Sequence, residues 1–396
     1  MLNPLVRIVL FVNLFLSLQT SAQQSPLIYP LGPLALDSSN EWLQRAFDNR
    51  IGDSVRLIGL GEFTHGGHEV FRIKAKIAQF LIEKKGVRTI IFEYPNAALS
   101  LVNYYLQQSR IKGEDTLRWV CLRQFGNSIM DNALLDLLTW IKRYNLAHPD
   151  HMVRLKGADI TGASGSFANY FRYNFFFLLD SATQKTLDRK WNAVSIDSIT
   201  GELITWYNDH KDTVRARLGI YYEDFSYNVK SAEADIAWRA SKRPFLQSLS
   251  QRDSVVADNI HALLWEKALF WAHNAHVAAN SYFMNAGGRL KKELNSGYYI
   301  IATDFSEKAT ILIPSGLEKS YLPHKKGLTY QLSRSVNASE GIVFYDRLPN
   351  TIKRPPRITC IGIEGMYQSF ESENGFDALI VLGTVTPAVL AKKALE

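Results

Sequence analysis

The stretch Val55-Arg56-Leu57-Ile58-Gly59-Leu60-Gly61-Glu62-Phe63-Thr64-His65-Gly66-Gly67-His68-Glu69 decides how the rest of the chain is read. Residues 55–60 form a short apolar run of the kind that makes a buried strand, and Gly61 ends it. Over residues 69–85, Val70, Ile73, Ile77, Phe80 and Leu81 fall on one helical face, and Gly86 supplies a stop. Strand, polar turn and helix then recur. Residues 88–92 read as a strand, 96–107 and 134–144 as helices, and 153–157 as a strand ending at Ala158-Asp159. Later strands are expected at 268–272, 298–302, 309–313, 341–345 and 376–382. This alternation predicts an α/β fold: a largely parallel central sheet flanked by helices.

The segment from about residue 164 to 249 breaks the rhythm. It is long, amphipathic and rich in aromatics, among them Phe167, Phe171, Phe175, Trp206, Tyr221, Tyr222 and Trp238. We read it as a helical insertion, or cap, on one α/β domain spanning residues 23–396. No repeat, low-complexity tract or glycine-rich linker marks a second independent domain.

With 396 residues, 46% of them hydrophobic, 12% aromatic and 21% charged, the chain has material for a large core and is no candidate for disorder. The net charge of +7 comes from scattered pairs such as Lys84-Lys85, Lys291-Lys292 and Lys325-Lys326. Pairs of this sort read as solvated faces, so no nucleic-acid partner is expected. At the N-terminus, Arg7, the apolar residues 8–18 and Thr20-Ser21-Ala22 have the layout of a signal peptide over residues 1–22. The apolar run is too short to span a bilayer, and no cysteine follows the expected cleavage after Ala22. A periplasmic or secreted protein without stable membrane insertion is the expectation. Cys121 and Cys360 are the only cysteines and make no disulfide framework.

Chemistry gathers at strand ends. Glu62 and His65 leave the first strand three residues apart, Glu93 ends the next, and Trp271-Ala272-His273-Asn274-Ala275-His276 closes a later one. An open α/β sheet collects such ends into a single crevice. A neutral imidazole accepts a proton from water near neutral pH, and a carboxylate on its other nitrogen fixes the tautomer. His65 with Glu62 therefore reads as a water-activating unit, with Glu93 as partner or water-positioner and His273 or His276 as donor to an oxyanion. Lys74 lies far enough into the following helix to reach back, Arg72 sits nearby, and Asp159 has a similar strand-end placement; these three are candidate substrate contacts. His65, His68, His273, His276 and the two glutamates also leave open a metal-dependent or non-catalytic pocket, holding a metal, haem or other ligand through His65, His273 and His276. Gly66-Gly67 disfavours the helical zinc-protease arrangement. There is no Gly-x-Ser-x-Gly elbow and no Gly-x-x-x-x-Gly-Lys phosphate loop. A hydrolase that activates water and needs no cofactor is the reading that remains.

At these residues the chain resembles the erythromycin esterase family. The resemblance runs through Leu60-Gly61-Glu62-Phe63-Thr64-His65-Gly66, Phe71-Arg72-Ile73-Lys74-Ala75, Phe92-Glu93 and Tyr144-Asn145. It continues through Lys156-Gly157-Ala158-Asp159, Arg252-Asp253 with Asn259, Ala272-His273-Asn274-Ala275-His276 and Phe376-Asp377-Ala378. It implies an α/β fold with helical insertions and hydrolysis of a small-molecule ester, a macrolide lactone in the family's named members. It also implies that His65 is a general base without an obligatory metal, near Glu62 and Glu93, in a pocket lined by His273, His276 and Lys74.

Overall fold

The computed structural model describes residues 27–108, 113–125, 131–336, 339–350, 352, 356–362, 365–371 and 374–390; the expected signal peptide, residues 1–22, lies outside them. The strands are β1 (Ile28–Tyr29), β2 (Leu57–Glu62), β3 (Thr89–Phe92), β4 (Arg154–Gly157), β5 (Ala268–His273) and β6 (Tyr298–Leu312). They continue with β7 (Glu318–Tyr321), β8 (Gly341–Phe344), β9 (Arg357–Ile361), β10 (Tyr367–Glu371) and β11 (Ala378–Val385). One sheet runs β1-β8-β11-β6-β2-β5-β3-β4 with β7 on the far end of β6, while β9 and β10 form a separate hairpin. The neighbours from β11 to β4 are all parallel, and β1, β7 and β8 pair antiparallel. The fold is thus the expected α/β architecture.

Alternation along the strands divides two layers of core. Ile58 and Leu60 of β2, Ile90 and Phe92 of β3, and Leu269 and Trp271 of β5 pack on one face with helix His68–Lys85. Leu57, Ile91, Phe270 and Ala272 point the other way, toward Val256, Ala257 and Ile260 of helix Phe245–Leu263. Side chains of period two on strands covered on both faces require this division. Helix His68–Lys85 ends at Gly86, whose φ of 73° is the left-handed conformation that a glycine adopts at least cost.

Between β4 and β5 the chain is helical, from Ala163–Asn174 through Phe245–Leu263. Its aromatics build a third core in which Phe167, Phe171, Phe175 and Phe225 meet at ring-centroid distances of 5.0–6.5 Å. Tyr222 belongs to this core and shares a 3.0 Å hydrogen bond with Tyr207, whereas Tyr221 is exposed. The strands depart from expectation in two ways: β1, β7, β9 and β10 are unexpected, and β6 is longer than expected. The predicted strands 298–302 and 309–313 are two parts of the single β6.

Candidate active site

Parallel register sets the strand ends level. Glu62 pairs with His273 across β2 and β5, and Phe92 pairs with Trp271 across β3 and β5, so Glu93 emerges beside Ala272. Alternation then decides which face each side chain serves. Glu62 and Trp271 turn to the face of helix His68–Lys85, where Lys74 is fully buried. Glu93 turns to the opposite face, where helix Phe245–Leu263 presents Arg252 and Asp253.

On the first face the buried Glu62 carboxylate has three side-chain donors. Its Oε1 accepts from His65 Nδ1 at 2.5 Å, and its Oε2 accepts from Lys74 Nζ at 2.5 Å and from Trp271 Nε1 at 3.1 Å. The Lys74 ammonium also lies 4.4 Å from the Trp271 ring centroid and 3.4 Å from the Ala272 carbonyl oxygen. Burial works against the Glu62 charge, but Lys74 and the His65 hydrogen bond outweigh it and bring its pKa down to about 2. Burial lowers the Lys74 pKa to about 8 despite Glu62. For His65, burial pulls downward while Glu62, helped by Glu93, pulls upward, and the net shift is upward.

The turn carrying His65 is fixed by backbone contacts. The Gly66 carbonyl accepts from Leu312 N at 2.9 Å and Ala388 N at 2.8 Å, and a Cβ at Gly66 would stand 2.0 Å from the Leu312 oxygen. Only glycine fits this approach. His68 N donates to Thr386 O, and its imidazole meets Asp131 at 2.8 Å, so His68 serves the turn's anchorage and stands apart from the cluster.

On the second face Arg252 is the hub. Its Nε and Nη2 donate to the two oxygens of Asp159 at 2.8 and 2.6 Å, and Nη2 also donates to Glu93 Oε1 at 2.8 Å. Glu93 Oε2 accepts from the His273 backbone N–H at 2.9 Å. His276 Nδ1 donates to both Asp253 oxygens at 2.8–2.9 Å, and its Nε2 faces Glu93 Oε1 at 3.1 Å. Burial opposes charge on His276, but Asp253 and Glu93 prevail and raise its pKa. The same balance holds Glu93 well below the carboxylate range, against burial, through His276 and Arg252.

His273 lies between the two faces, with its ring 4.9 Å from that of His65. Its Nε2–H donates to the Ile361 carbonyl at 3.1 Å, and Nδ1 accepts from the Cys360 thiol at 3.3 Å. Burial, with the charge of His65, lowers its pKa to about 3 and keeps it neutral. Asn274 secures this exit of β5 by donating to the carbonyls of Thr303 and Thr359 at 2.7 and 3.0 Å.

The structure therefore brings together Glu62, His65, Lys74, Glu93, Asp159, His273 and His276, with roles that sort by geometry. Lys74 and Asp159, expected at the substrate, are sealed against Glu62 and Arg252 respectively. The ring nitrogens of His273 and His276 engage protein partners, which leaves neither with a spare N–H for an oxyanion. Arg72, expected nearby, faces away from the cluster and lines a separate cavity. Sequence reasoning gave Arg252 and Asp253 no role of their own, because they sit mid-helix rather than at a strand end; the signals were their place in the family resemblance and an adjacent charged pair on the buried face of a helix with Val256, Ala257 and Ile260. Among the described residues no three His, Cys, Asp or Glu side chains are placed to hold a metal ion, and the donor atoms of His65, His273 and His276 turn to different partners.

With this geometry in place the family is plain: residues 82–319 match the erythromycin esterase family, and the chain belongs to it. That membership supports an ester hydrolase acting on a small molecule. Among curated proteins, erythromycin esterase type II from Escherichia coli is 21% identical, over 83% of this chain and 89% of that protein. A solved Bacillus cereus protein superposes with a TM-score of 0.68 at 18% identity, covering 92% of this chain and 97% of its own. A solved erythromycin esterase mutant in its open conformation gives a TM-score of 0.60 at 14% identity, over 91% of this chain and 98% of that one.

Proposed function

We propose that the protein hydrolyses a small-molecule ester or lactone with water deprotonated by His65. One observation carries the reading. Of the three clustered histidines, His65 alone has a ring nitrogen, Nε2, without a partner among the described residues, and its side chain is 32% exposed against 12% for His276. Donation from Nδ1 to Glu62 leaves the Nε2 lone pair as the acceptor. Water at Nε2 gives up a proton as its oxygen adds to the acyl carbon. The Glu62 carboxylate, kept ionised by Lys74, stabilises the imidazolium that forms. The tetrahedral intermediate then expels the alkoxide, which takes the proton from His65, so that one water is consumed and an acid and an alcohol result.

A macrolide lactone is the first substrate to try, on the strength of the family and of the Escherichia coli relative's name. Incubating the purified chain with macrolides and simple esters in heavy-oxygen water is expected to give a ring-opened product heavier by one water from a lactone, or a separate acid and alcohol from a simple ester, with the label in the carboxylate. His65→Ala should cost about 10²- to 10⁴-fold in turnover while leaving the fold in place. Near-normal turnover in that variant would place the base elsewhere. We also propose export of the mature chain, on the pattern of residues 1–22; sequencing the exported protein should start at Gln23, and a start at Met1 would overturn this.

A further inference from the structure

Arg72 belongs to the motif but not to the site. On helix His68–Lys85 it lies two residues before Lys74 and so about 200° around the axis from it. There it lines a cavity of 770 Å³, bounded by this helix, helix Glu114–Phe125, helix Asn132–Ala147 and the segment 34–37. That volume lies within the range of small-molecule pockets. Ala75, Ala133 and Leu135 are buried in its lining, with Leu36 and Trp140 half-buried. Charge is sorted by depth: Arg72 and Arg118 are half-buried, whereas Asp37, Asp115, Asp136 and Arg143 are exposed at the rim. Among the described residues nothing pairs with the Arg72 guanidinium. A half-buried cation with unmatched donors is costly, and an oxyanion offers it charge and planar, bidentate acceptors together.

We propose that this cavity is a second ligand site, distinct from the ester-cleaving cluster, that takes an organic anion with an apolar body. The anionic head, a carboxylate or phosphate monoester, sits on Arg72 and Arg118, and the body lies along Leu36, Leu135 and Trp140. The acidic rim repels free inorganic anions, so the apolar body is needed for entry.

Calorimetric titration of the mature chain with octanoate, octyl phosphate, octyl glucoside and inorganic phosphate tests this. One or both anionic amphiphiles should bind, one molecule per chain, and the two show which head group is preferred. Octyl glucoside and inorganic phosphate should bind at least about tenfold more weakly, and Arg72→Gln should weaken amphiphile binding about tenfold or more, the worth of one charge-assisted hydrogen bond. Arg118→Gln, on a different helix, gives the same reading should Arg72→Gln fail to fold. Ester turnover should be unchanged in Arg72→Gln, and amphiphile binding unchanged in His65→Ala. The proposal is overturned if neither amphiphile binds, if octyl glucoside binds equally, if binding survives both arginine substitutions, or if it is lost in His65→Ala.

Discussion

Lys74→Met tests the electrostatic core of the site. The substitution keeps the stem of a fully buried side chain and removes the ammonium that lies 2.5 Å from Glu62 Oε2. Glu62 then keeps His65 and Trp271 as donors but loses the cation named first among the influences lowering its pKa. An isolated buried carboxylate escapes its desolvation penalty by taking up a proton. From an ordinary value of 4.5, protonation at pH 7 costs about 3.4 kcal/mol at about 1.4 kcal/mol per unit, and this is the ceiling on the carboxylate's penalty. Removing the ammonium also relieves its own burial, so the measured loss should be roughly 2–3 kcal/mol at pH 7. At pH 5 the ceiling falls to about 0.7 kcal/mol, so the loss should shrink on acidification. Urea unfolding at both pH values reads this directly. Adding Glu62→Gln should recover most of the stability at pH 7, since both members of the buried pair are then gone. Activity supplies an independent check. The Glu62 charge is the main upward pull on the His65 pKa and outweighs the downward pull of Lys74, so a Glu62 that takes up a proton should move the acid limb of kcat/KM to lower pH. A stability change that is the same at pH 5 and pH 7, together with an unmoved acid limb, would refute the coupling of Lys74, Glu62 and His65.

Three further outcomes are expected. In the unsubstituted protein, a base must be deprotonated to act and His65 is raised above 6.5, so kcat/KM should rise through a pKa above that value; it should fall as Lys74 loses its proton near pH 8. A profile rising at pH 5 would remove His65 from the base role. Glu93→Gln keeps the shape but withdraws the charge shared by Arg252 and His276, so the His276 pKa, followed by proton NMR, should fall and turnover should drop about tenfold or more; an effect confined to KM would mark Glu93 as a substrate contact. Tyr222→Ala empties a buried position and its bond to Tyr207, so it should cost roughly 3–4 kcal/mol in urea unfolding, whereas Tyr221→Ala, at an exposed position, should change stability by less than about 0.5 kcal/mol.

The sheet was legible where apolar runs ended at a glycine or a charged residue. Helix His68–Lys85 with Gly86 and β5 with its histidines follow from such boundaries, whereas β2 starts at Leu57 and runs past Gly61 to Glu62. The length of β6 was not legible, because its middle reads as polar. Thr303 Oγ1 accepts from Phe63 N, Asp304 accepts from Phe305 N and Thr359 N, and Ser306 Oγ donates to the Leu382 and Ser339 carbonyls. These groups are buried only because distant segments satisfy them, and burial raises the Asp304 pKa to about 7. A local hydrophobic pattern contains none of those partners. The β9–β10 hairpin was missed for a related reason: its short segments mix polar and apolar residues, and the buried contact that matters, Cys360 and Ile361 capping His273, is made 87 and 88 residues away. Strand-end logic found the residues contributed by the sheet and passed over Arg252 and Asp253, which a helix delivers from the side.

Those two residues change how the site works as a charged system. Arg252 and Asp253 add a cation and an anion to the cluster and, through Asp159 and His276, tie Glu93 to the second face of the sheet. Glu62, Glu93, Asp159 and Asp253 then supply four carboxylates, against the cations Lys74 and Arg252 and two histidines, His65 and His276, whose pKa values the carboxylates raise. The carboxylates outnumber the two fixed cations, in a setting where unbalanced charge is costly. Protonation of His65 reduces that imbalance. The raised proton affinity of His65 and its role as the base are therefore one property: the carboxylates that raise its pKa also favour the imidazolium that forms when it takes the proton from water.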